Sequence, residues 1–235
     1  MRRGAGAVAS CNARVCAKVP WSQRAGRSSV AGMTLPAAAA EILDVWFEGS
    51  SATELGSASS RWFSKDQAFD AMLRERFGDP LERASRGELG GWCSSPRGSL
   101  ALVVLCDQFA RNVHRGTARS FAFDPLALST SLGARARGED AALSIPERVF
   151  LTMPLMHSES LAIHDEASAA FAAILEHAER HVPSLVAYAK STLGYEEKHR
   201  AILDRFGRYP HRNALLGRAS TAEETEFLAT PGSSF

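Results

Sequence analysis

Between residues 100 and 116 the chain reads LALVVLCDQFARNVHRG, and this run limits the possible folds more than any other. Leu100, Val103 and Val104 recur at helical spacing, and the stretch from Leu100 to Cys106 is apolar all round. That is the pattern of a helix enclosed by neighbours on most sides. The next positions on the same stripe are Asp107, Gln108 and Arg111. Burying a carboxylate and a guanidinium is costly unless each is paired and hydrogen-bonded, so their placement calls for a structural or a functional reason.

The punctuation around this helix is helical throughout. Pro36 fits the first turn of a helix through AAAAEILDVWFE, with Gly49 as its stop, and a Ser/Gly-rich connector follows. Ser64 and Gln67 are spaced as a capping box for KDQAFDAMLRERF, whose Phe69, Met72, Leu73 and Phe77 share a face and which Gly78 should end. Ser95-Pro96 opens the central helix, Asp124-Pro125 the next, and Ser144 with Pro146 introduces ERVFLTMPLMH, in which Pro154 should kink or end the helix. A long helix to His181, another from Pro183 to Phe206 and a short one capped by Thr221 and Glu224 complete the chain. No stretch alternates with period two. The expected fold is all-α, with seven to nine helices, either a degenerate array of helical hairpins or a compact bundle.

Charge divides the chain. Residues 1–33 hold Arg2, Arg3, Arg14, Lys18, Arg24 and Arg27 and no acid, which leaves 21 basic and 26 acidic residues for 34–235. The leading segment reads as an organellar transit peptide or as sequence ahead of a true start at Met33, and 34–235 as a single helical domain. An acidic body predicts no partnership with nucleic acid, and the lack of an eighteen-residue apolar run predicts no membrane span. The four cysteines, Cys11, Cys16, Cys93 and Cys106, show no CxxC spacing, so no disulfide framework is expected and a reducing compartment such as the cytoplasm fits.

Three clusters could carry chemistry. The first is Asp107, Gln108, Arg111, Asn112 and Arg115, where Arg111 could offer a fork to a carboxylate or phosphate with Asp107 holding it. The alternative is an internal ion pair that fixes helix packing. The second is His157-Ser158-Glu159, with His157 and Glu159 as acid/base candidates and Ser158 as a possible N-cap. His157, Glu159 and His164 match no standard metal spacing, so neither a metal nor another cofactor is expected. The third is RFGRYPHRNALLGR, whose Arg208, His211, Arg212 and Asn213 lie in a loop that could clamp an anion or hook the C-terminus. His199 reads as a helix-end cap. The Trp46-Phe47, Trp62-Phe63 and Phe121/Phe123 pairs read as core anchors.

Five blocks, WFSKDQAFD, LALVVLCDQFARNVHRG, ERVFLTMPLMHSESL, the RFGRYPHRN segment and the terminal PGSSF, resemble the uncharacterised, mainly bacterial family catalogued as domain of unknown function 924. The resemblance spans about residues 36–235 and implies an all-helical fold like that of tetratricopeptide-repeat proteins, with no established activity. Ala110 stands where the family usually has proline, which suggests a straighter helix end, and His164 stands near an amide of the family pattern. Two functions remain open. One is a binder of, or enzyme acting on, a small anion, built on Asp107, Arg111, His157, Glu159, Arg208, His211 and Arg212. The other is a repeat-like module that grips a peptide.

Overall fold

The computed structural model describes residues 34–233; the expectations for residues 1–33 lie outside them. Eight helices follow in order: α1 (Ala37–Trp46), α2 (Gln67–Ser85), α3, α4 (Asp124–Ala136), α5 (Ile145–Met156), α6 (Leu161–His181), α7 (Val186–Phe206) and α8 (Ala222–Leu228). Helix α3 runs in three consecutive pieces: α-helical Pro96–Val103, π-helical Val104–Phe109 and α-helical Ala110–Val113. Short 3-10 turns join several helices, and no strand occurs among the described residues.

The apolar run of α3 does what its pattern requires. Every residue from Gly98 to Ala110 is buried, and α1, α2, α4 and α5 pack around it. Helices α6 and α7, joined by a short turn at Pro183–Leu185, form a hairpin that continues the bundle through α5. Aromatic rings lock the centre: Trp46 meets Phe109 and Phe150 edge-on at 5.6 and 5.4 Å, and the Trp62 indole donates to the Trp46 carbonyl at 2.7 Å. The result is a compact helical bundle.

Local details depart from the sequence expectations for physical reasons. Asp66, not Ser64, caps α2, accepting from the backbone N–H groups of Ala68 and Phe69 at 2.9 and 3.1 Å. Helix α2 also runs through Gly78 and Pro80 to Ser85, because its apolar face continues in Leu81 and Ala84, both buried in the core. Pro154 stays inside α5, which ends two residues later at Met156, and the N-cap of α6 is Ser160 rather than Ser158. Phe63 is exposed and lies over the buried Phe150 ring with centroids 6.4 Å apart, so it covers the core rather than sitting in it. The expected capping box of α8 is present: the Thr221 N–H donates to Glu224 at 2.7 Å and the Glu224 N–H to the Thr221 hydroxyl at 3.1 Å.

Candidate functional site

The polar end of α3 does not continue as an ordinary α-helix. Its six-residue π segment contains Asp107 and Gln108, and such widened turns recur at functional sites because they re-aim side chains without ending the helix. Both residues point into the protein. Asp107 is fully buried and has three side-chain partners: His157 Nδ1 at 2.7 Å, Gln108 Nε2 at 2.5 Å and Arg111 Nη1 at 3.3 Å. Burial alone would raise this carboxyl, but Arg111, His157 and Gln108 together outweigh it and hold Asp107 well below the usual carboxylate range.

His157 caps the C-terminal end of α5, and its side chain is 14% exposed. Burial pushes its imidazole below the ordinary histidine value, against the pull of Asp107. An ionised carboxylate only accepts hydrogen bonds, so Asp107 fixes the ring proton on Nδ1 and leaves the Nε2 lone pair to face outward from the pair.

Two arginines complete the arrangement. Arg111 donates to the Asp107 carbonyl at 2.6 Å and makes a bidentate pair with Asp124 at 2.9 and 3.1 Å, so its fork is already occupied by a protein carboxylate. Asp124, the first residue of α4, was not among the sequence candidates. Arg212 lies in the turn after α7, with its guanidinium over the Phe121 ring at 4.8 Å and the Tyr209 ring at 4.6 Å. It donates to the His157 carbonyl at 3.0 Å and reaches Asp124 at 3.4 Å, while its buried Nε has no hydrogen-bond partner. Burial lowers its pKa, the reverse of Arg111, whose two carboxylate neighbours raise it against burial.

Tyr209 is the hub of a ring cluster. His199 and His211 pack against it with centroids at 5.6 and 5.5 Å, and His157 lies 6.1 Å from His199. Burial pushes His199 down to about 3 and His211 to about 4, with the neighbouring His157 and Arg212 adding to the effect. His199 sits two turns inside α7 and donates through Nδ1 to the Tyr195 carbonyl, 2.7 Å away, so it is not a helix-end cap. On the far side the Tyr209 hydroxyl donates to the Met156 carbonyl at 2.6 Å and meets His164 Nε2 at 3.1 Å. His164, fully buried, holds Glu196 through Nδ1 at 2.8 Å.

The sequence candidates therefore divide. Asp107, Gln108, Arg111, His157, His211 and Arg212 come together. Asn112 lies further along α3, donating to Asp70 at 2.7 Å, and Asp70 also takes Arg115 at 2.6 Å. Glu159 accepts from the Tyr209 N–H at 2.8 Å and pairs with Arg218 at 2.6 Å, which fastens the 208–218 loop to the start of α6. Arg208 and Asn213 hold Glu224: Arg208 is bidentate at 2.6 and 2.8 Å, and Asn213 donates at 3.3 Å. These three residues build the loop rather than line the cluster. Asp124, Phe121 and Tyr209 were not candidate site residues in the sequence: Asp124 read as a helix start and Phe121 as a core anchor, whereas Phe121 is only partly buried and lies under Arg212.

Two open clefts, of about 670 and 540 Å³, lie elsewhere, along α1 beside Glu41, Asp44 and Glu48 and beside Ser50, Arg97 and Glu147. Among the described residues no three His, Cys, Asp or Glu side chains are grouped to hold a metal ion, and no helix is long and apolar enough to cross a membrane.

Comparison with known proteins agrees with this architecture. The profile of a family described as "Bacterial protein of unknown function (DUF924)" matches residues 42–232. A solved protein of unknown function from Agrobacterium tumefaciens is 38% identical, with 81% of this chain and 96% of that one covered and a TM-score of 0.68. Among curated proteins nothing matches.

Proposed function

Because the chain belongs to the DUF924 family, bacterial proteins of unknown function, we propose its function from the site alone: it binds a small carboxylate or phosphate ester, with His157 as acid/base. The observation that carries this reading is the 2.7 Å contact between His157 Nδ1 and the fully buried Asp107. A carboxylate behind an imidazole fixes its tautomer, raises the basicity of Nε2 and stabilises the imidazolium that forms when Nε2 takes a proton. Arg212 supplies the positive charge. Arg111 is fully engaged by Asp107 and Asp124, whereas Arg212 donates to the His157 carbonyl at 3.0 Å, meets its one carboxylate, Asp124, at 3.4 Å and keeps a buried Nε without a partner. Arg212 donates to the His157 carbonyl, so an anion beside Arg212 would lie near His157, and a ligand hydroxyl or a water that reached Nε2 could give up its proton. The peptide-gripping alternative finds less support, since the convergent groups lie on a tight cluster and not along an open groove.

The test is a thermal melt of the protein with inorganic phosphate, citrate and p-nitrophenyl phosphate as probes. A ligand present at about 100 times its Kd adds about 2.7 kcal/mol to stability, a readily measured rise in Tm. We expect at least one probe to raise the Tm of the wild type and to lose that effect in Arg212→Gln, with helical circular dichroism unchanged. No stabilisation by any probe, or equal stabilisation of both proteins, would overturn the reading.

A further inference from the structure

Away from this cluster, near the C-terminal end of α6, lies a second group of metal-ligating side chains. His177 and His181 are four residues apart on the last turns of that 21-residue helix, and their ring centroids are 4.8 Å apart at an interplanar angle of 51°. His181 is exposed and His177 half-buried, and neither ring makes a hydrogen bond to a described residue. Two imidazoles one helical turn apart, uncommitted and in contact, have no structural task that leucine or lysine would not perform as well.

We propose that His177 and His181 form a surface chelate for a divalent transition metal ion of the copper, nickel and zinc class. The geometry already fits. With metal–nitrogen bonds of about 2.0–2.1 Å, a ring centre lies roughly 3.2 Å from the ion, so ligands at tetrahedral to right angles put the centroids about 4.5–5.2 Å apart. The observed 4.8 Å falls inside that range, so the separation of the two rings matches that of a two-imidazole chelate. The i, i+4 spacing provides the alignment, since residues one turn apart stack on the same helix face. The helix end provides a favourable field: the carbonyl-rich C-terminus of α6 attracts positive charge.

Protonation favours binding as well. His177 is shifted below its ordinary value, first by burial of its ring and then by Arg148 and His181, so it presents a neutral ligand near neutral pH. Arg148 and Arg180 are the nearby cations that oppose the ion, and Arg180 is itself paired with Glu176. Two protein ligands leave the other positions to water, which makes this an open, exchangeable site, and imidazole donors favour Cu²⁺ over Ni²⁺ and Zn²⁺.

Ni²⁺ titrated into the full chain, without an affinity tag, tests the proposal by calorimetry and by retention on an immobilised-nickel column. We expect one saturable site, lost in both His177→Ala and His181→Ala and kept in His211→Ala. His181 is exposed, so its replacement leaves the fold intact, and circular dichroism of that variant checks this directly. Absence of saturable binding, or binding that survives in His181→Ala, would overturn it.

Discussion

At the scale of single residues, the cluster is governed by neutrality under burial. Asp107 and Asp124 balance Arg111 and Arg212, while His157, His199 and His211 all stay uncharged because burial lowers their pKa values. This sets the sign of the acid response. In the unfolded chain each imidazole protonates near 6.5, whereas in the fold His211 waits until about 4 and His199 until about 3. Below 6.5 the unfolded state therefore binds more protons, and stability falls as pH falls. We expect the urea midpoint to drop between about pH 6.5 and pH 5, before the carboxylates of the unfolded chain titrate, and the drop to be shallower in His211→Gln. An identical drop in that variant would remove His211 from the account. The sequence showed Asp107, Arg111 and His157 as candidates because each is a costly residue in an apolar context. It could not show Asp124 or Tyr209, whose roles depend on which loop lies across α3.

At the scale of elements, two glycines in helices make opposite predictions. Gly78 lies within α2 with nothing within 4 Å of where a Cβ would stand. Gly78→Ala should stabilise the protein by about 0.5–1 kcal/mol by restricting the unfolded chain and improving helix propensity. Gly98 is in the first turn of α3, and a Cβ there would lie 2.1 Å from the Trp92 carbonyl oxygen. Gly98→Ala should cost about 1–3 kcal/mol or more, because backbone must move to make room. Thermal melts of the two variants should shift in opposite directions, and a shift of both in one direction would contradict this packing of α3. Most helices were legible from caps and periodicity, as the Thr221–Glu224 box and the Ser95-Pro96 start illustrate. The failures share a cause: Gly78 and Pro154 are helix breakers by local rules, and tertiary burial of their neighbours outweighs them. The π segment was not legible at all. Ala110 suggested a straight helix end, yet the widened turn ends one residue earlier, at Phe109.

At the scale of the molecule, the site depends on clamps that stand away from its centre. Arg208 clamps Glu224, Arg218 clamps Glu159, and between them Tyr209 and Arg212 are held over the end of α5. Arg208→Ala should therefore weaken probe-induced stabilisation although Arg208 makes no contact with His157, while Arg205→Ala, which frees an exposed pair with Glu223, should not. Equal ligand shifts in the wild type and Arg208→Ala, read by thermal melt, would mean that the loop holds its shape without the clamp. This architecture also fixes an order of events during synthesis. Asp107 leaves the ribosome with Gln108 and Arg111 but long before His157, which follows 50 residues later, and Arg212 comes 88 residues after Asp124. At translation rates of roughly 5–20 residues per second, Asp124 waits on the order of ten seconds for Arg212. Until then Asp124 has only Arg111 as its ion-pair partner, and a nascent chain halted before the RYPHRN turn would carry the Asp107–His157–Arg111 half of the site without Arg212.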